Sequence, residues 1–327
     1  MLLMLFLDQA RMAESPFNLL NQSCWNCSTS PPQETTTVPR LSTFLTEDDA
    51  IILSVLCAVA SVIGTFGNSL VILAVHKNEN LRNIPDLFIT SLAFSDITVC
   101  ALFLPMSINY FIHSVGTEGQ DENIMFDSAR SFVGHTSMVA SATNMFAVTV
   151  DRVVAIRFPF KYVAAMTKRR ALVGIVVVWI VSLTFGSLYA RMLVSNMYIA
   201  LYSGILLFTT MIMYIYIFIV AKRQENRIHQ GTAYDGSVAE KKVAKTIFTV
   251  VGIYALCWLP MLLLPAIANP STNLAQFGRG FHWVQTLLAC NSAVNPYIYC
   301  MRSMKYRTAF GQILRLERCI KPVDSNQ

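Results

Sequence analysis

The chain has 327 residues, 54% of them apolar and only 13% charged, with a formal net charge of +6. A typical soluble domain carries roughly 25% charged residues, so this composition argues against one, and the few charges present are clustered between long uncharged stretches. An integral membrane protein is expected, with no nucleic-acid partner.

Residues 1–46 are rich in Ser, Thr, Pro and Asn and read as a disordered outer tail. Asn21-Gln22-Ser23 and Asn26-Cys27-Ser28 make Asn21 and Asn26 candidate glycosylation sites. The opening Met1–Leu7 run is too short for a signal-peptide core and has no basic flank before it. Translation from Met1 and from Met12 both stay open, and the first span can itself act as insertion signal. Cys24 and Cys27 can pair with each other or with another chain. No cysteine falls between 101 and 256, so no disulfide can link the third span to the outer loop after the fourth.

Residues 47–302 contain seven apolar stretches, at 50–76, 86–112, 125–151, 171–190, 193–221, 243–268 and 279–301. About 20 such residues cross a bilayer as a helix. Only helices satisfy the backbone in lipid at this length. The fold class expected is therefore an all-α membrane protein, a seven-transmembrane helix bundle. Of the 25 Lys and Arg, only Arg11, Arg40, Arg130, Arg191 and Arg279 fall on the outer side when the N-terminus is outside. That bias predicts a plasma-membrane chain with extracellular N-terminus and cytosolic C-terminus.

Asp96, in the second span, is the one acid deep in an apolar stretch. An ionisable group there costs about 2.5–3.5 kcal/mol on an insertion scale and marks function by default. Asn68, Ser137, Ser141, Asn291, Ser292 and Asn295 stand on other spans where they can line its surroundings. Carboxylate, hydroxyl and amide oxygens together suit a sodium ion or a proton; the plainer alternative is a structural hydrogen-bond network. The third span ends in Asp151-Arg152-Val153. Arg152 can pair with Asp151 or, across the bundle, with Glu240, a latch whose opening exposes a cytosolic crevice. The alternative is an arginine that merely snorkels at a helix end. Pro260 and Pro296 sit inside the sixth and seventh spans, where each removes a backbone hydrogen bond and kinks the helix. Trp258, just before Pro260, is expected to point at the core near Asp96.

After the last span, 303–318 is amphipathic, with Tyr306, Phe310, Ile313 and Leu314 on one face and Lys305, Arg307, Arg315 and Arg318 elsewhere. An eighth helix over 303–319 on the inner leaflet follows, making membrane lipid a partner, ahead of a short cytosolic tail at 320–327. Cys319 is a candidate for palmitate, or a plain free thiol.

GNSLVILAV (67–75), SLAFSD (91–96), DRVVAI (151–156), Trp179, CWLP (257–260) and NPYIY (295–299) follow one another in order, each on its own span. This resembles the rhodopsin-like family of G-protein-coupled receptors across 50–319. The cytosolic half is similar to biogenic-amine receptors of the adrenergic type, through the run from DRVVAI to Ser182, AKRQ at 221–224 and EKKVAKT at 240–246. The resemblance implies that Arg152, Glu240, Tyr214 and Tyr299 serve an activation switch, and that Pro159 and Phe160 help seat a G protein.

The outer half departs from the amine pattern. Gly134 stands where those receptors place the aspartate that pairs with an ammonium. Ala289 stands where opsins place the retinal lysine, so no retinal is expected. The absent disulfide, Leu206 in place of a fifth-span proline and CNSAVNP at 290–296 look melanocortin-like, the last also adenosine-receptor-like. Asp127 falls on one acidic position of a melanocortin calcium-assisted site, but Met106 and Ser131 occupy the other two.

The resemblance also implies a ligand pocket among Asp127, Arg130, His135, Met138, Tyr198, Tyr202, Trp258, Met261, His282 and Gln285. Lipid, peptide and small-molecule ligands all remain open. The function expected is a receptor passing an extracellular ligand signal to a heterotrimeric G protein, with no cofactor beyond a possible allosteric sodium ion. The alternatives are a constitutively active or ligand-independent partner and, less well supported, a seven-helix transporter, for which several intramembrane charges are needed and only Asp96 is central. An enzyme is not expected: His76, His113, His135, His229 and His282 are scattered without metal-ligand spacing, and no phosphate-cradling loop occurs.

Overall fold

A computed structural model describes residues 45–116, 124–191, 193, 196–229, 252–253, 256–261, 263–264 and 274–315. Asn21, Asn26, Cys24, Cys27, Glu240, Cys319 and the 320–327 tail lie outside the described residues.

Helix α1 is Glu47–Lys77, opened by Thr46, whose hydroxyl accepts from the Asp49 amide in a capping box. Helix α2 runs as Ile84–Thr98, a π-helical turn Val99–Phe103, and Leu104–Gly116. Helix α3 is Ile124–Arg157, α4 the short Pro159–Ala165 with proline at its first position, and α5 Lys168–Ala190. Helix α6 is Asn196–His229, α7 Leu274–Arg302 with Pro296 inside, and α8 Met304–Ile313. Helices α1, α2, α3, α5, α6 and α7 are thus the first to fifth and the seventh spans. Of the sixth span, 252–253, 256–261 and 263–264 are described, and they are helical.

The exposed surface of these rods is apolar. On α1, Ile51, Val55, Val59, Val62 and Phe66 all face outward, as do Leu172, Val173, Val176 and Ile180 on α5. Asn68, Ser95, Asp96, Asn144 and Ser182 are buried. A soluble bundle has the opposite arrangement, so these outer faces are built for lipid.

Small residues bring the rods together, as packing in lipid requires. A β-carbon on Gly186 of α5 would lie 1.8 Å from the Thr136 hydroxyl oxygen of α3, so only glycine fits this contact. The Trp179 indole donates to Ser91 Oγ at 3.1 Å, tying α5 to α2.

Helix α8 is shorter than the amphipathic pattern suggests. It ends at Ile313; Leu314 caps it and is more than one-third exposed, and Arg315 turns to φ 56. Tyr306 and Phe310 pack with Leu70, Val71 and Ala74 of α1, and the Tyr306 hydroxyl donates to Asp86 Oδ1 at 3.0 Å. Tyr306 and Phe310 are thus turned onto the bundle, where a buried carboxylate gives the phenol a hydrogen-bond partner. Burial and Asp86 together push the Tyr306 phenol well above its usual range.

Candidate functional site

Three polar clusters lie along the bundle interior. The central one surrounds Asp96. Its Oδ1 accepts from Ser141 of α3 at 2.9 Å and its Oδ2 from Asn295 of α7 at 2.6 Å, so one carboxylate joins three helices. Asn68 donates to Gly64 O at 2.9 Å and Ser292 O at 3.0 Å, holding α1 to α7 where Pro296 frees the backbone. Asn291 and Ser292 are buried nearby. Ser137, also buried, turns back on its own helix, donating to Val133 O at 2.7 Å. The π-helical turn follows Asp96 by three residues, and π-bulges in α-helices often mark functional positions. Trp258 is buried against Leu92, Met145 and Leu288, one helical turn of α2 from Asp96.

At the end of the bundle where α3 meets α4, the described partner of Asp151 is Tyr162 of α4, whose hydroxyl donates to Asp151 Oδ1 at 2.7 Å, rather than Arg152. Asp151 is buried and its Oδ2 has no hydrogen-bond partner among the described residues. Arg152 is exposed. The Tyr162 phenol is pushed far up by burial and by the carboxylate it serves. Tyr299 packs beside Tyr306 at 5.9 Å, and Tyr214 is half-buried on α6. Pro159 starts α4, and Phe160 next to it is 90% exposed.

Toward the opposite end of the bundle, His135 stacks on Tyr189 at 3.5 Å, its Nδ1 2.8 Å from Ser131 O. Arg130 lies over the Tyr110 ring at 3.9 Å and 3.8 Å from Asp127. His282 packs among Tyr110, Phe111 and Phe281, while Gln285 is buried on α7. Met261 packs against Leu264 and Phe281, and Met138 bridges two core clusters. Tyr202 meets Thr143 Oγ1 at 3.0 Å. Tyr198 departs from its expected inward position: it is half exposed in the first turn of α6, one turn outward of the contact that holds Tyr202 in.

Two features here escape sequence reasoning. The Phe103 ring, delivered by the π turn of α2, lies 2.5 Å from where a β-carbon on Gly134 would sit. The ammonium-anchor position is therefore filled by an aromatic ring. Asp49 is buried at the outer end of α1, with Arg279 Nε at 2.7 Å and the Trp283 indole nitrogen at 3.0 Å. Only the pairing of an acid early in the first span with a cation early in the last hints at that clamp.

A lipid-faced helical bundle with a buried carboxylate hub defines a multi-pass membrane protein. The 7 transmembrane receptor (rhodopsin family) pattern matches residues 67–198 and 189–299, and the chain belongs to that family. It is 30% identical over 267 residues to melanocortin receptor 3 of Homo sapiens, covering 77% of this chain and 82% of the relative. It is 28% identical over 291 residues to the histamine H2 receptor of Canis lupus familiaris (81% and 80% covered). The alpha-1A adrenergic receptor of Rattus norvegicus is 26% identical over 333 residues (85% and 70% covered). The protein is thus a G-protein-coupled receptor of the plasma membrane and not an enzyme, with a seven-helix all-α bundle.

Proposed function

We propose that this receptor, N-terminus outside, couples a heterotrimeric G protein to an extracellular ligand that is not an amine held by a third-helix carboxylate. The observation that carries this reading is the Phe103 ring against Gly134, which leaves neither an acid nor the space for one at the ammonium position. Relatives named for histamine, adrenergic and melanocortin ligands frame the choice. Arg130 and His135 on α3 and His282 on α7 offer hydrogen-bond donors in this half of the bundle, with Asp127 3.8 Å from Arg130, which favours ligands with acceptor or anionic groups over simple cations. A sodium ion fits the central hub: Asp96 supplies charge, Ser141 and Ser292 supply hydroxyl oxygens, and Asn68 Oδ1 is a buried acceptor without a hydrogen-bond partner among the described residues. Bound there, it would neutralise Asp96 and hold α2, α3 and α7 in one arrangement.

A screen of biogenic amines, peptides, fatty acids and nucleosides against cells expressing the receptor tests the ligand reading. Responses confined to non-amines support it; a saturable amine response abolished in Asp127→Asn overturns it. A second reading, ligand-independent activity, is favoured by the Asp151–Tyr162 bond, which leaves Arg152 without its neighbouring acid. High basal signalling at surface-expression levels matched to a silent Arg152→Ala control would select it.

A further inference from the structure

We propose that the cytosolic cleft between α3, α4 and the start of α5 binds an anionic phospholipid of the inner leaflet. The cleft has a volume of about 450 Å³ and is lined by Val154, Phe158, Lys161, Tyr162, Met166 and Arg170, among others. Its floor is apolar and its rim is cationic. No Asp or Glu occurs from Arg152 to Gln224, while Arg157, Lys161, Lys168, Arg169 and Arg170 are all exposed around the cleft. The Arg157 guanidinium lies 4.9 Å from the Phe158 ring and the Lys161 ammonium 5.8 Å from it, so charge and apolar surface are interleaved within one headgroup's reach. Asp151, three residues before Val154 in the cleft lining, is buried and capped by Tyr162, and so does not neutralise the rim.

A lipid, rather than a soluble anion, fits the surroundings. Above Arg170 the outward face of α5 continues as exposed Leu172, Val173 and Val176, a track on which an acyl chain can lie once its phosphate is at Arg170 and Lys161. Helix α4 also divides its faces. Phe158, Lys161 and Tyr162 line the cleft, whereas Phe160 and Val163 are 90% and 82% exposed and do not line it, which leaves them for the G protein. Occupancy would hold Tyr162 against Asp151 and so bias the switch; this consequence rests on the G-protein reading, whereas the lipid binding does not.

Native mass spectrometry of the full-length receptor, exposed to phosphatidylserine, phosphatidylinositol bisphosphate or phosphatidylcholine, reads the site directly. Wild type should retain one anionic lipid in preference to phosphatidylcholine. The Lys161→Gln/Arg170→Gln variant should bind it on the order of tenfold more weakly, and Lys305→Gln/Arg307→Gln should match wild type. Equal loss in both double variants, or no loss in the first, overturns the proposal. A photoactivatable phosphatidylserine on the wild-type chain needs no variant. It should label residues 154–176, and labelling confined to other segments also overturns the proposal.

Discussion

The Phe103 ring sits 2.5 Å from the point where a β-carbon on Gly134 would stand, so α2 itself closes the place where an amine receptor holds its ligand. Gly134→Asp is therefore expected to overpack the core rather than restore an ammonium site, at about 1–3 kcal/mol. Thermal unfolding of the solubilised receptor should show a lower midpoint for Gly134→Asp, and partial recovery in Gly134→Asp/Phe103→Ala. An amine response in the single variant would contradict this.

The clamp of Asp49 with Arg279 and Trp283 ties the outer ends of α1 and α7. The Arg279 side chain is 53% exposed, so Arg279→Gln should cost only about 1 kcal/mol. Asp49→Ala should cost more, because it also removes the Trp283 bond and the capping box with Thr46. Melting midpoints falling in the order wild type, Arg279→Gln, Asp49→Ala check this; the reverse order would sink it.

Tyr162→Phe leaves buried Asp151 without its donor, a loss of about 1.5–3 kcal/mol for a bond to a charged group unless Arg152 replaces it. Recapture by Arg152 predicts lower basal nucleotide exchange, measured on purified receptor with a fluorescent GTP analogue; higher basal exchange would refute the recapture. Burial, and then the bond to Asp151, raise the phenol above its unfolded value, so their contribution is fully present below an unfolded pKa of about 10 and is lost only as pH rises through the still higher folded value. Basal exchange should thus show no step from this pair between neutral and mildly alkaline pH.

Asp96→Asn keeps the size of the hub while removing its charge. Replacing NaCl by the potassium salt should change wild-type exchange or ligand affinity and leave Asp96→Asn unchanged. A sodium effect that persists in the variant would place the ion elsewhere.

Much of this molecule is legible in its sequence because lipid imposes one-dimensional rules. Long uncharged runs give the spans, basic clusters give the expected orientation, and Asp96 stands out by being the only deep acid. Its pairing with Ser141 and Asn295 follows from three helices each bringing a polar residue to the same depth. What stayed hidden depends on rotation and distant packing. Asp49 and Arg279 are 230 residues apart, and the π turn that rotates Phe103 onto Gly134 has no pattern of its own in Val99–Phe103. Tyr306 reads as one residue of an amphipathic face, and its partner, Asp86, lies 220 positions away.

The central claim, a cytosolic face that seats a G protein through Arg152 and Phe160, is tested most directly by complex formation with nucleotide-depleted heterotrimers. Purified wild-type receptor in nanodiscs should form a stable complex with at least one G-protein subtype and release it on addition of a GTP analogue. Arg152→Ala and Phe160→Asp should each fail to form it while retaining the wild-type melting midpoint. A wild-type receptor that forms no GTP-sensitive complex with any subtype, or a complex indifferent to both substitutions, would contradict the account.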